Sequence, residues 1–408
     1  MKPEAFFAPL IRGAIIEQTG GPWTVAYETG GKADGGAADR TGGSAVCIDY
    51  AGDAGDEQAA AEQIRAAFAA SGSARNNKIP TRVKITSGGN SYVYLTAPDY
   101  AGIDRARSDS RTDAWDAPGA REKSGAADFA ASRAAVIKNR AALITGGAQG
   151  FGEEIVRGLA SAGALVFIAD LNKAGAEKLA AGLNGEYGRT IAFPVEVNVA
   201  DEASVQNMAE TIALTTGGLD LCVSNAGVLR AASILEQDIA SFKFVTDINY
   251  TAFAIVTKHC GLLMKAQHAA APSWTADIIQ INSKSGLDGS NKNGSYAGSK
   301  FGGIGLVQSF AKELVEYNIK VNAVCPGNFF DGPLWSDPTK GLFVQYLNTG
   351  KVPGAKTIAD VKAFYESKVP MGRGCTGPDV IRAVLYLVEQ IYETGQALPV
   401  TGGQVMLS

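Results

Sequence analysis

Histidine is almost missing from this chain: two occur in 408 residues, His259 and His268. That scarcity excludes a histidine-ligated metal cluster and, since no histidine precedes His259, any zinc-dependent aldolase-type enzyme in the first half of the chain. The five cysteines, Cys47, Cys222, Cys260, Cys325 and Cys375, are odd in number, dispersed and free of any CxxC pair. Buried reduced thiols are expected rather than a disulfide framework, and no bound metal is expected. Charge of one sign is also lacking. Lys+Arg 37 against Asp+Glu 41 leaves a net charge of −4, which gives no footprint for nucleic acid. No window approaches the roughly 20 apolar residues of a membrane span. The opening Met1-Lys2-Pro3-Glu4-Ala5-Phe6-Phe7 lacks the apolar core of a secretory signal. A soluble cytoplasmic protein without a nucleic-acid or membrane partner is expected.

Glycine, by contrast, is plentiful at 49 residues, and one cluster has a readable context. Thr145-Gly146-Gly147-Ala148-Gln149-Gly150-Phe151-Gly152 follows the apolar run Ala141-Ala142-Leu143-Ile144. It precedes a helical pattern through Ile155, Val156, Leu159 and Ala160. Strand, glycine turn and helix are what a dinucleotide fingerprint requires, because glycine lets the backbone approach a pyrophosphate at a helix N-terminus. A second apolar strand, Leu165 to Ala169, ends in Asp170, whose carboxylate can accept bonds from both adenosine ribose hydroxyls. It would repel a 2′-phosphate, and neither Gln149 nor Leu171 supplies a compensating cation. NAD is therefore expected over NADP.

Further along, Tyr296 and Lys300 stand four residues apart with Ser283 upstream. Positions i and i+4 share a helix face, so the Lys300 ammonium can stabilise a Tyr296 phenolate and bring a pKa of about 10 towards neutrality. The YxxxK pattern alone is common by chance. Its combination with the glycine loop is not.

Together these residues resemble the short-chain dehydrogenase/reductase family over roughly residues 137–408. The loop glycines Gly146, Gly150 and Gly152 match the family's TGxxxGxG, and Asn225-Ala226-Gly227 matches its NAG motif. Asn249, Ser283, Tyr296 and Lys300 match its catalytic tetrad, and Pro326-Gly327 its turn beside the nicotinamide. The resemblance implies that Gln149, Phe151, Asp170, Leu171, Asn198 and Val199 also border the cofactor, with Tyr296 and Lys300 contacting its nicotinamide half. In the family's chemistry the tyrosine exchanges a proton, the serine holds the reacting oxygen, the lysine bonds the ribose and the asparagine anchors a water. Two positions depart from the family pattern. Asn198 replaces the usual aspartate, and no threonine follows Pro326-Gly327. A narrower similarity, carried by Ile278 to Gly286, Lys300 to Gly303, Arg373-Gly374-Cys375 and Val400 to Met406, is to the family's sorbitol-6-phosphate 2-dehydrogenases. It implies interconversion of a polyol phosphate and a ketose phosphate, with Lys284, Lys292 and Arg373 as candidate phosphate contacts. Two alternatives stay open: an unphosphorylated polyol or sugar as substrate, and a non-catalytic NAD sensor. Sensors commonly lose the tyrosine or lysine, and both are present here. The resemblance also implies a homodimer or homotetramer. Gly298, Gly302, Gly303 and Gly305 in the Tyr296 helix call for a close approach, to a second subunit or to the helix's own sheet.

The architecture expected is α/β, a doubly wound parallel Rossmann-type sheet with a small N-terminal α+β appendage. Strands are predicted near 141–145, 164–169, 190–197, 219–224, 277–283, 319–324 and 396–400, with helices between them. In the appendage, residues 1–98, short strands are predicted at 11–16, 23–27, 45–50, 81–85 and 91–95 and a helix at 56–70. A glycine-rich loop spans 30–43. Residues 99–136 read as a linker or a segment draped over another surface, and 137–408 as the dehydrogenase domain. The appendage's role is not written in its residues, and tethering, oligomerisation or regulation all remain open.

Overall fold

The computed structural model describes residues 1–28, 45–52, 55–70, 78–80, 82–87, 90–98, 100, 103, 114–116, 136–339, 341–348, 350 and 352–406. In the small N-terminal unit, α1 (Pro3–Thr19), β1 (Thr24–Tyr27), β2 (Ala45–Tyr50) and α2 (Glu57–Ala70) are followed by β3 (Lys78–Pro80), β4 (Arg82–Ser87), β5 (Asn90–Ala97) and β6 (Ala114–Asp116). The large unit alternates β7 (Ala141–Thr145), α3 (Gly150–Ser161), β8 (Leu165–Asp170), α4 (Lys173–Tyr187), β9 (Ala192–Glu196), α5 (Glu202–Thr216) and β10 (Leu221–Ser224). It continues with α6 (Ile239–Thr246), a π-turn (Asp247–Thr251), α7 (Ala252–Ala270), β11 (Ala276–Ile281) and α8 (Gly294–Leu314). Last come β12 (Ile319–Pro326), three short helices α9 (Pro333–Ser336), α10 (Leu342–Asn348) and α11 (Ile358–Glu366), then α12 (Gly377–Glu389) and β13 (Ala397–Val400).

Strands β7 to β13 form one parallel sheet in the order β13-β12-β11-β10-β7-β8-β9. Side chains alternate across it. Ala142 and Ile144 of β7 enter one core, with α3 and α12, while Ala141 and Leu143 enter the opposite one, with α5, α7 and α8. Both faces are covered, which is why these strands read as unbroken apolar runs. The chain winds outward from β7 in one direction and from β10 in the other. Their carboxyl ends therefore flank the crevice where doubly wound sheets bind ligands.

The N-terminal unit holds a four-stranded sheet, β1-β5-β4-β2. The strand expected at 11–16 is instead the middle of α1. Ala5, Phe6, Phe7, Ala8, Leu10, Ile11, Ala14, Ile15 and Ile16 are all buried, because α1 lies between the small sheet and α7. A helix enclosed on all sides has no polar face, so its isoleucines mimic a buried strand. The predicted loop 30–43 lies outside the described residues, as does most of 99–136. Within the latter, Tyr100 packs edge-on to Phe193 with ring centroids 4.7 Å apart, and β6 pairs with β3. Among the described residues, no helix is long and apolar enough to cross a membrane.

One buried ion pair fastens α1 to the large sheet. Arg12, 1% exposed, donates to both carboxylate oxygens of Asp220 at 3.0 and 2.7 Å and to Gln267 Oε1 at 2.6 Å. Asp220 also accepts from the Ala141 amide at 2.8 Å and from Trp274 Nε1 at 2.9 Å. Burial alone would raise its pKa, but the Arg12 guanidinium holds the carboxyl below its ordinary value. Removing one partner strands the other charge in the core. Arg12→Ala is therefore expected to cost about 3–5 kcal/mol, read from the urea midpoint, and a loss below about 1 kcal/mol would contradict this account.

Candidate active site

The crevice is built first by backbone. After β7 the chain turns at Gly146 (φ 63°) and Gly150 (φ 61°), conformations that side chains disfavour. A Cβ on Gly146 would stand 2.9 Å from Ala226 Cα, and one on Gly152 would collide with the Gly146 carbonyl. The Asn225-Ala226-Gly227 segment closes the other wall. Thr145 Oγ1 accepts from the Asn225 and Ala226 amides at 3.0 and 3.1 Å, and Asn225 Nδ2 donates to the Thr145 and Gly146 carbonyls. Thr145 thus joins β7 to β10 across the switch point, a role its neighbours in sequence did not reveal. Gln149, at the N-cap of α3, forms no side-chain cap. The first-turn amides are left free, and such amides favour an anion. Phe151, in that first turn, stacks on Phe329 at 4.3 Å between centroids and 12° between planes.

Asp170 ends β8 beside this loop. Its oxygens accept from the Ala148 amide at 3.0 Å and the Asn172 amide at 2.9 Å, leaving lone pairs for a diol. Leu171 is 71% exposed. Asn198 has its amide oxygen engaged by the Ala200 N–H at 3.1 Å, and Val199 is half-buried. These residues fit the adenosine half of a dinucleotide. Glycine cradle, free helix N-terminus and terminal carboxylate lie in the order such a molecule needs.

The second half of the site lies at the end of β11. Ser283 caps a short 3₁₀ turn, Lys284–Gly286, by accepting from the Ser285 amide at 3.1 Å. Helix α8 is pressed against this strand end. A Cβ on Gly303 would meet the Gln280 side chain at 2.8 Å, and one on Gly302 the Tyr250 ring at 2.9 Å. The close approach is thus to the protein's own elements at those two glycines, while Gly298 and Gly305 face open space and nothing here explains them. Asn282 Nδ2 fixes the approach by donating to the Lys300 carbonyl at 2.9 Å. Lys300, 5% exposed, donates to the Ile281 carbonyl at 2.9 Å and lies 5.7 Å from the Tyr296 ring centroid. Ser283 lies close enough to Tyr296 to act on its phenol. Ser283, Tyr296 and Lys300 therefore converge as their spacing suggests.

The electrostatics of that cluster differ from the expectation in one respect. Burial pushes the Tyr296 phenol up, with Ser283 opposing, rather than Lys300 drawing it down. Lys300 itself is pushed down to about 8 by burial, and the neighbouring Cys325 thiol up to about 12. Asn249 sits on the π-turn before α7. Its amide clasps the Val228 backbone in both directions, at 2.8 and 2.9 Å, and donates to Ser299 Oγ at 3.2 Å. Ser299 Oγ in turn donates to the Tyr296 carbonyl at 2.7 Å. The Asn249 side chain is thus occupied in joining the β10 loop to α8.

After β12, Pro326-Gly327 docks on β13 through the Gly327 amide and the Val400 carbonyl, 2.9 Å apart. The aromatic residues that follow make a core of their own, Phe330, Trp335, Phe343 and Tyr365 among them. Of the expected phosphate contacts, Lys284 is half-buried beside Ser283 and Lys292 is exposed in left-handed backbone (φ 54°). Arg373 has its guanidinium paired with Asp379 at 2.6 and 3.0 Å and with the Gly374 carbonyl, securing the start of α12. Lys368, which the sequence did not single out, lies close enough to Lys284 to repel it. Four cysteines are buried, and Cys47 is exposed on β2. Among the described residues, no three His, Cys, Asp or Glu side chains are grouped to hold a metal.

The profile of the short chain dehydrogenase family matches residues 140–335. Sorbitol-6-phosphate 2-dehydrogenase of Escherichia coli K12 is 34% identical over 271 residues, which are 66% of this chain and 99% of that enzyme. The crystal structure of the sorbitol-6-phosphate 2-dehydrogenase of Erwinia amylovora is similar with TM-score 0.60 and 37% identity, over 65% of this chain and all of that one. A Brucella melitensis 3-ketoacyl-(acyl-carrier-protein) reductase complexed with NADH is similar with TM-score 0.55 and 25% identity, over 65% of this chain and 98% of that one. The E. coli enzyme is thus spanned almost whole while about a third of this chain lies outside the match.

A buried lysine with a single carbonyl acceptor is a strain on the fold. Its pKa of about 8, below the ordinary 10.5, means that the penalty is full below pH 8 and fades as pH rises towards 10.5. Lys300→Met is expected to stabilise the unliganded protein by about 2–3 kcal/mol at pH 7, with the gain shrinking above pH 8. Thermal unfolding across pH measures this, and a variant less stable at every pH would refute it.

Proposed function

The chain belongs to the short-chain dehydrogenase/reductase family, and from that premise we propose that it is an NAD-dependent oxidoreductase interconverting a polyol phosphate and a ketose phosphate, sorbitol 6-phosphate and fructose 6-phosphate. The observation that carries the reading is the meeting of Ser283, Tyr296 and Lys300 at the end of β11, opposite the glycine cradle. Bound NAD would take or supply the hydride at the substrate's C2. During ketose reduction the Tyr296 phenol gives its proton to the carbonyl oxygen as that oxygen gains charge, and Ser283 Oγ donates a hydrogen bond to the same atom. In polyol oxidation Tyr296 takes the hydroxyl proton back. Its raised pKa keeps the phenol protonated at neutral pH, the form that reduction needs. Lys300, 5.7 Å from the Tyr296 ring centroid, would stabilise phenolate with its ammonium and bond a ribose hydroxyl of the cofactor. Asn249 is a positioning residue: through Ser299 it fixes the turn that carries Tyr296.

The preference for NAD rests on Asp170 and on Gln149 and Leu171, neither of which supplies a cation for a 2′-phosphate. The phosphate ester as substrate is supported by the two sorbitol-6-phosphate dehydrogenases among the relatives and by Lys284 beside Ser283. Residues 137–408 are read as the dehydrogenase and 1–98 as an α+β unit docked on it through α1. A groove of about 300 Å³ between α7 and α8, lined by Leu262, Phe310 and Leu314 among others, supports assembly as a homodimer or homotetramer.

The test is absorbance at 340 nm with fructose 6-phosphate against fructose, using NADH and then NADPH. Oxidation of NADH with the ester, at least about tenfold faster in kcat/KM than with fructose or NADPH, is expected. Equal rates with fructose would remove the phosphate from the reading and leave the dehydrogenase. Tyr296→Phe is expected to lower kcat by about two to four decades while fluorescence titration still shows NADH binding. A loss under tenfold would exclude Tyr296 as the acid.

A further inference from the structure

Gln404, four residues past β13, carries a buried carbonyl that the fold does not use. Its Oε1 is shut off from solvent and accepts no hydrogen bond among the described residues. A buried amide oxygen without a donor is destabilising, and a ligand that supplies the donor relieves it. The turn that carries this side chain is tightly held. Thr401 Oγ1 accepts from the Val405 amide at 3.3 Å, and the Gln404 amide donates to the Thr401 carbonyl at 3.3 Å. Gly402 and Gly403 take left-handed backbone (φ 63° and 87°), and the Gly402 carbonyl accepts from the Met371 amide at 3.1 Å. The Gln404 stem thus leaves from a fixed turn.

That turn lies against Pro326-Gly327. A Cβ on Gly327 would stand 3.0 Å from Gln404 Oε1 and 3.3 Å from Thr401 Cα. Gly327 is not in left-handed backbone, so the glycine supplies space for the Gln404 amide rather than a turn. β12 lies next to β11, with the Asn282 amide donating to the Val324 carbonyl at 2.7 Å, so its end stands beside Ser283. Two residues past Gly327, Phe329 stacks on Phe151 in the first turn of α3. The stretch 326–329 therefore runs from the Ser283 strand end back to the glycine loop. A dinucleotide with its adenosine at Asp170 and its pyrophosphate on that loop lays its nicotinamide half along this stretch.

Resting on the use of NAD proposed above, we propose that Gln404 is the side chain that recognises the nicotinamide carboxamide, with Oε1 accepting from its NH2 group. The carboxamide is the ring's polar substituent, both donor and acceptor, and a glutamine amide is its complement. Gln404 thereby fixes the rotation of the ring, and its orphaned oxygen gains a partner only when the cofactor is bound.

Calorimetric titration with NADH, with reduced 3-acetylpyridine adenine dinucleotide and with ADP-ribose tests this. The acetyl analogue carries a methyl group in place of the carboxamide NH2, and ADP-ribose lacks the ring. The wild-type protein is expected to bind NADH about tenfold tighter than the acetyl analogue, or about 1.4 kcal/mol. In Gln404→Met, similar in size but without the acceptor, that preference falls below about twofold while the Kd for ADP-ribose changes less than about twofold. Gln404→Glu keeps an acceptor oxygen and is expected to keep a preference of at least about threefold. Without ligand, Gln404→Met is expected to melt no lower than the wild type, because it removes an unsatisfied buried group. A Gln404→Met protein that melts far below the wild type, or does not fold, makes the side chain structural and overturns the proposal. Equal wild-type affinity for NADH and the acetyl analogue, or a full preference kept in Gln404→Met, overturns the contact and leaves the use of NAD standing. A wild type that binds none of the three removes NAD from the reading, and the contact with it.

Discussion

A buried ammonium organises this site. Lys300 reaches the Ile281 carbonyl because α8 lies directly on the end of β11, which Gly303 permits and Asn282 fixes. That placement puts Tyr296, one turn earlier on the helix, under Ser283, and turns Gly227 towards Lys300 from the far wall. Desolvating a cation is unfavourable unless something compensates, and here a single carbonyl does so only in part. The fold tolerates the strain because both faces of its parallel sheet are packed. Perturbed groups gather where chemistry is done, and Tyr296, Lys300 and Cys325 are all shifted by the same burial.

A second buried charge network lies at the opposite end of the strands. Asp220 precedes β10, Asp277 lies near the start of β11, and Arg12 and Lys320 meet them there. Burial raises Asp277 to about 6 against the pull of Lys320. Because β10 and β11 run parallel, this network is a strand length away from the crevice. The N-terminal unit is thus anchored where substrates do not bind. Its first helix belongs to the structure of the large unit as much as to its own sheet, with Ala266 and Ala270 of α7 sharing its core.

Much of this was legible in the chain. Unbroken apolar strands separated by helical periods announce a doubly wound sheet, and the positive-φ glycines of the β7 turn announce the cradle. What escaped was set by tertiary contact. Ile11 to Ile16 read as strand because α1 is enclosed on all sides and shows no polar face. The pairing of Arg373 with Asp379 is not written locally, because the turn into α12 makes it. Spacing places a lysine near a tyrosine but says nothing of how dry the pair will be, and burial pushes the phenol up.

The central claim is hydride transfer to the second carbon of a phosphorylated ketose under control of Tyr296. The most direct measurement supplies NADH carrying deuterium at the transferable C4 position together with fructose 6-phosphate, and locates the label in the product by mass spectrometry and NMR. The account predicts one deuterium at C2 of a hexitol phosphate, with transfer nearly abolished in Tyr296→Phe. Unlabelled product, or label transferred equally well by Tyr296→Phe, would contradict it.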